Sequence, residues 1–241
     1  MPRRKDSLAE KAESPQMDVT TLSREEARSV YDRIGGRQDT QAFYEDPATE
    51  FLIRHGEFGC ANRVFEFGCG TGRFALSLLS EHLAETACYR GVDLSFTMVE
   101  LARERLAPYI SRAKVILTDG SPPTVEAMGR FDRFVSNYVL DLLSEGDIAA
   151  VIREAHRILE PHGLLCLSGL SMGSGPLSRL VARAWTCVHT LRPSLVGGCR
   201  PLDLLAWLPS ASWQVRHHNR MAPFGVPSEV VIAEPRKNLS T

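Results

Sequence analysis

Two rhythms of apolar residues alternate along most of the chain. Short runs at 64–67, 88–94, 114–118, 131–137 and 164–169 are mostly apolar and end near glycine, aspartate or asparagine, the pattern of strands in a buried parallel sheet. Between them apolar residues recur at three and four, the helical spacing. One such segment runs over 73–84, directly after the first strand. Another is capped by Ser144, shares a face through Ile148, Val151, Ile152, Ala155 and Leu159, and is stopped by Pro161-His162-Gly163. Strand and helix in alternation make an α/β architecture of five βα units. The rhythm then changes to period two. Over 213–221 it puts Trp213, Val215, His217, Asn219 and Met221 on one face, and 228–234 forms a last strand beyond a turn region holding Pro223, Gly225 and Pro227.

Helical signals also precede the sheet, over 22–58. Ser23 and Glu26 form a capping box ahead of Ala27, Val30, Tyr31 and Ile34, and Gly35-Gly36 stops that helix. Asp46 is expected to cap a second, with Pro47 at its first position and Phe51, Leu52, His55 and Phe58 on one face. An insertion at 171–209, longer than a plain crossover, separates the fifth and sixth strands. Leu177, Leu180, Val181, Ala184, Trp185, Val188 and Leu191 make a wide apolar stripe there, with Arg179, Arg183 and Arg192 elsewhere on the same helix. Its readings are a cap on the sheet, a hydrophobic lid over a lipophilic or aromatic acceptor, or a helix that touches a membrane surface.

The chemistry lies at the strand ends. After Val64-Phe65-Glu66-Phe67 the chain reads Gly68-Cys69-Gly70-Thr71-Gly72, glycine at every second position, where backbone with positive φ can lie against a ligand. A pyrophosphate fingerprint needs G-x-G-x-x-G, and here Arg73 stands at the third glycine's place. Glu66 sets a negative charge at the floor, which suits a cation and repels a diphosphate. S-adenosylmethionine, a cationic nucleoside without phosphate, meets both conditions. The second strand ends in Asp93, about twenty residues on, where an acid takes ribose hydroxyls. Asp119-Gly120 follows the third strand, its acid placed for an adenine amino group. Asn137-Tyr138-Val139-Leu140-Asp141 follows the fourth, where the reacting end of the ligand would lie.

These segments, VFEFGCGTG, GVDLSFTMVELA, LTDGSPP, FDRFVSNYVLDLL, REAHRILEPHGLLCLSG and EVVIAE, stand in an order that resembles the class I S-adenosylmethionine-dependent methyltransferases over 31–234. The likeness is strongest to the small-molecule branch related to ubiquinone and menaquinone biosynthesis. It implies a Rossmann-like seven-stranded sheet, mostly parallel with an antiparallel last strand and helices on both faces. It also implies that Glu66, Gly68, Cys69 and Gly70 line the methionine part, Asp93 the ribose, Leu94 and Met98 the adenine faces, and Asp119 and Gly120 the adenine amino end, with Asn137 nearby. N-terminal helices folded over the cofactor would bring Tyr31 or Tyr44 to it, although both tyrosines equally suit an amphipathic core. A base is needed only if the acceptor loses a proton. Tyr138 and Asp141 are the candidates, and His217 and His218 read as ordinary strand residues.

Composition narrows the partners. With 28 Lys and Arg against 29 Asp and Glu the chain has no cationic footprint for nucleic acid. The proline pair and aromatic that a base-methylating enzyme would carry after the fourth strand are replaced by Asn137-Tyr138-Val139-Leu140. The expected partner is a small-molecule acceptor. Six cysteines with no C-x-x-C pair fit reduced thiols in the cytoplasm and imply no metal. No run approaches the roughly 18 apolar residues of a membrane span, so membrane contact would be peripheral. Residues 1–20, charged and with two prolines, are expected to be a disordered tail before a single domain at 21–241. Two other functions remain open from sequence: a non-catalytic S-adenosylmethionine-binding protein, and a nicotinamide-dependent oxidoreductase, which the loop spacing disfavours.

Overall fold

A computed structural model describes residues 21–236; the tail expected at 1–20 lies outside them. Seven strands, β1 (Arg63–Phe67), β2 (Cys88–Asp93), β3 (Ala113–Leu117), β4 (Phe131–Asn137), β5 (Leu159–Leu170), β6 (Trp213–Met221) and β7 (Ser228–Pro235), form one sheet in the order β3-β2-β1-β4-β5-β7-β6. The first five are parallel, and β7 inserts antiparallel between β5 and β6. The expected seven-stranded α/β sheet is thus present. Strand order reverses at β1, which has β2 on one side and β4 on the other, so a crevice opens at the carboxyl ends of β1 and β4.

Helices α1 (Arg24–Ile34), α2 (Ala42–His55), α3 (Arg73–Ser77), α4 (Phe96–Arg105), α5 (Val125–Met128), α6 (Glu145–Ile158) and α7 (Pro176–Leu191) surround the sheet. Val64, Val135, Cys166, Val230 and Ile232 point to one face and pack with Leu52 of α2, Ala75 of α3 and Val99 of α4. Phe65, Phe134, Leu165, Val231 and Ala233 point to the other and pack with Ile148, Val151 and Ile152 of α6. Alternation along each strand therefore feeds two cores, as a sheet covered on both sides requires.

Local outcomes differ from the expectations in five places. First, α2 begins at Ala42, because a 3-10 segment over Gly35–Gln41 feeds it without a break; Asp46 is not its cap, and Pro47 lies inside it. The Asp46 carboxylate pairs with Arg73 instead. Second, the regular helix after the glycine loop is only α3, which passes into a π-helical turn over Leu78–His82. Third, α6 ends at Ile158, and Leu159 already pairs with Phe131 as the start of β5.

Fourth, β6 does not keep one face. Arg216 is an extra residue between Val215, opposite Ala233, and His217, opposite Ile232. This bulge turns His217, Asn219 and Met221 to the face opposite Trp213. Trp213 accordingly packs in the α6 core and Met221 against the α2 core. Fifth, α7 buries Ser178, Ala182 and His189, and leaves Leu177, Leu180 and Leu191 64–77% exposed. The reason is hydrogen bonding. The loop beneath offers carbonyls at Gly198 and Cys199, which accept from His189 Nε2 at 3.1 Å and Trp185 Nε1 at 2.9 Å. Buried carbonyls need donors, so the polar edge of the helix faces in.

Candidate active site

The glycine loop is built by backbone. Gly68, Gly70 and Gly72 all have positive φ, 78°, 52° and 76°. A Cβ on Gly68 would sit 2.3 Å from Val139 Cγ2, and one on Gly72 would sit 3.1 Å from Ala102 of α4. Gly72 thus gives the close packing that the third glycine gives in the pyrophosphate motif. Arg73 turns back to Glu45 and Asp46 of α2. Around Gly70 a Cβ meets no atom within 4 Å, because it would project into open space.

That space is a cleft with two chambers that share Gly68, Asp93, Leu94, Val139 and Leu142. Asp93, buried at the end of β2, is the hinge of the arrangement. One carboxylate oxygen accepts from Gly70 N at 2.9 Å and the other from Ser95 N at 2.9 Å, leaving a lone pair on each for a ligand hydroxyl. One chamber runs under α1, between Leu22, Ala27, Thr118, Gly120 and Leu143. The other lies over the glycine loop, between Glu66, Met98, Asn137, Tyr138 and Tyr31, with Asp39, Glu45 and Thr49 of the N-terminal helices closing it.

Glu66 is the floor of the second chamber. It is buried, accepts from Tyr89 Oη at 2.5 Å and from Asn137 Nδ2 at 3.4 Å, and has no cationic partner among the described residues. Burial pushes its carboxyl up to about 7, against the pull of those two hydrogen bonds. A buried acid without a counter-charge is a standing preference for a cationic ligand. With the ribose-type position at Asp93, the residues present fit S-adenosylmethionine.

The structure brings together Tyr31, Glu66, Gly68, Cys69, Gly70, Asp93, Leu94, Met98, Asn137 and Tyr138 in the cleft, with Gly120 on its α1 side. It does not bring in Asp119, whose exposed carboxylate accepts from Ser121 N at 2.8 Å and so closes its own turn. Tyr44 is a core residue, edge-on to Tyr138 at 5.7 Å, its hydroxyl bonded to Gln41. Asp141 is fully buried behind the cleft wall: one oxygen accepts from Leu170 N at 3.2 Å, and the other has no hydrogen-bond partner. Tyr138 lines the cleft in a left-handed backbone conformation, φ 52°, yet its hydroxyl donates to Ser228 Oγ at 2.9 Å. His217 stacks on His55 and His218 pairs with Glu229, both on the outer strand β6 and away from the cleft.

Gln38, Asp39, Glu45 and Thr49 also line the cleft although nothing in the sequence singles them out, and Arg73, notable in the sequence only for standing at the third glycine's place, joins them. Asp39 accepts from Thr71 Oγ1 at 2.6 Å and from Arg105 at 2.7 Å, tying the segment before α2 to the glycine loop. Glu45 lines the chamber over the glycine loop, 3.5 Å from Arg73, and desolvation raises its carboxyl to about 7 although that arginine opposes the shift. Its signal was an acid one residue before Asp46, hidden by the misplaced start of α2.

A methyltransferase domain family matches residues 64–163, the stretch from β1 to the start of β5. The sheet order and the glycine loop are those of the class I S-adenosylmethionine-dependent methyltransferase fold, and the matched stretch, less than half of the chain, carries strands β1 to β4 whose ends line the cleft. Among curated relatives, carboxy-S-adenosyl-L-methionine synthase of Chromohalobacter salexigens is 34% identical over 48% of this chain and 42% of its own. A malonyl-acyl-carrier-protein O-methyltransferase of Erwinia pyrifoliae is 29% identical over 78% of this chain and 64% of its own. The chain thus spans 42% and 64% of the length of these two relatives. Among solved structures, the 4+2 cyclase SpnF shares the fold with a TM-score of 0.64 at 14% identity, covering 90% of this chain and 98% of that one. No helix among the described residues is long and apolar enough to cross a membrane.

Proposed function

We propose that this chain transfers a methyl group from S-adenosylmethionine to a small lipophilic or aromatic acceptor. The observation that carries the reading is the continuity of the cleft from Asp93, past the glycine loop and Glu66, to a chamber walled by Tyr31, Phe74, Tyr138, Val139 and Leu142. Such a chamber suits an apolar acceptor with few polar groups. When bound, S-adenosylmethionine supplies a methyl carbon on cationic sulfur for in-line attack. The protein contributes placement: Asp93 holds the ribose, Glu66 the cationic methionine end, and the N-terminal helices close the chamber against water. Where the acceptor is a hydroxyl or other acid, Glu45 takes its proton. The acceptor is left at this breadth and is not narrowed to a quinone, since the relatives named above methylate malonyl-acyl-carrier protein or make carboxy-S-adenosylmethionine.

S-adenosylmethionine or its demethylated product, but not NAD, should raise the melting temperature, by the equivalent of about 2.7 kcal/mol at a hundredfold excess over the dissociation constant. Asp93→Ala and Gly70→Val should each remove the shift. Stabilisation by NAD alone would point to an oxidoreductase. Methyl-labelled cofactor offered with an extract of small metabolites then separates enzyme from binder: stabilisation without any labelled product would favour the non-catalytic reading.

A further inference from the structure

The outward face of α7 is exposed, apolar and not used by the cleft. From residue 171 to 202 the chain holds four arginines and no carboxylate, in a protein whose charges over the whole chain are 28 basic against 29 acidic. Arg200 is buried and donates to Leu143 O, but Arg179, Arg183 and Arg192 are exposed, and their side chains make no ion pair among the described residues. At 100° per residue, Arg179 and Arg183 flank the exposed Leu177, Leu180 and Leu191 on one side, and Arg192 lies on the other. An apolar stripe between basic flanks is the arrangement of a helix that lies in the surface of an anionic bilayer.

The stripe is joined to the cleft by aromatic rings. Val181 of α7 lies beside Gly225, and the next residue back, Phe224, is 82% exposed. Phe224 meets Phe43 at 5.7 Å, Phe43 meets Tyr44 at 5.1 Å, and Tyr44 meets Tyr138 of the acceptor chamber at 5.7 Å. Phe43 is itself more than half exposed. Exposed aromatic surface therefore edges the helix at Phe224 and Phe43, and ring contacts continue inward through the buried Tyr44 to the wall of the chamber.

A second copy of the chain fits this face less well. Two such helices laid together would bring arginines near arginines with no acid on either to pair them. A helix of this length, about 24 Å by 10 Å, also presents far less than the roughly 800 Å² per partner of a standard interface.

We propose that the exposed face of α7, with Phe224 and Phe43 at its edge, seats on an anionic lipid surface and so places the acceptor chamber where a lipophilic acceptor partitions. The delivery role rests on the methyl-transfer reading above; the docking itself does not. Flotation of the full chain with vesicles tests it without turnover. Vesicles of phosphatidylcholine with about one third phosphatidylglycerol should carry the protein, and pure phosphatidylcholine should carry at least tenfold less. High salt should weaken the anionic binding. Leu177→Glu with Leu180→Glu should abolish binding and keep the thermal shift with S-adenosylmethionine, which shows the fold and cofactor site intact. Arg179→Glu with Arg183→Glu should lower binding at least tenfold. Absence of binding to anionic vesicles, or binding that survives both pairs of substitutions, overturns the proposal. So does light scattering that shows a dimer which the leucine substitutions dissociate. A failed methyl-transfer assay would leave the vesicle result standing.

Discussion

Residues at strand ends carry most of what the site can do, while the pH range in which it would work falls to a residue of α2. Glu45 titrates near 7 because burial opposes its charge more than Arg73 favours it, with Asp46 and Asp141 adding to the opposition. If it takes the acceptor's proton, the rate with saturating cofactor must fall as pH drops through about 7, as the carboxylate becomes the acid. Glu45→Gln should flatten that limb and lower kcat about 100-fold or more while leaving the thermal shift with S-adenosylmethionine in place. Glu66 also titrates near 7, but it acts on cofactor binding, so measuring at saturation keeps the two apart. An unchanged kcat in the variant would remove Glu45 from the chemistry. Glu66, Gly68, Gly70 and Asp93 were legible in the sequence because strand registers fix where a strand's last residue points. Glu45 was not, since its position depends on where a helix starts, and the sequence does not show that the acid after β3, Asp119, bonds to its own turn.

At the scale of elements, α1 and the loops it touches form one wall of the cleft. The Asp32 carboxylate accepts from Ser95 Oγ at 2.6 Å and Thr97 N at 3.1 Å, and Arg28 Nε donates to the Leu94 carbonyl at 3.0 Å. Both hold α1 to the turn that follows Asp93, while Leu22 to Ala27 roof the α1 chamber. A ligand that enters there must pass this roof, so its anchoring sets residence time. Asp32→Ala should speed release of S-adenosylmethionine and weaken its affinity about tenfold, read by stopped-flow and calorimetry; a fall in melting temperature with affinity untouched would make the contact structural only. The capping box that starts α1 is present, with Ser23 Oγ accepting from Glu26 N. Caps and strands were readable because their signals are local. The β6 bulge was not, because an inserted residue such as Arg216 leaves the period-two pattern intact on both sides and shows only when the partner strand is aligned.

Across the whole molecule, sheet order and cores follow from hydrophobic patterning, whereas the outward stripe of α7 shows that patterning alone does not say which face is buried. The buried carboxyl of Asp141 makes a test at that scale, since it joins the end of β4, the end of β5 and the insertion: its oxygen accepts from Leu170 N, and its backbone carbonyl accepts from Arg200 N at 3.0 Å. Burial raises it from 3.8 to about 7, with the hydrogen bond from Leu170 and the charge of Arg200 opposing. The sign follows from linkage. The folded state holds the proton more tightly, so this group's contribution is full below about 3.8, is lost as pH rises, and is gone above about 7. Ionised at pH 8, the carboxylate costs the fold about 4 kcal/mol relative to its acid form. Asp141→Asn keeps an acceptor for Leu170 and carries no charge; Glu66 does not feel it, and Glu45, relieved of the Asp141 charge that helps to raise it, ionises more readily, which moves stability at pH 8 in the same direction. Denaturant unfolding should therefore find the asparagine variant more stable at pH 8, with a gap that narrows by several kcal/mol toward pH 4. A gap that does not change with pH would mean that the carboxylate has an unseen partner and that its burial does not govern the acid side of the stability curve.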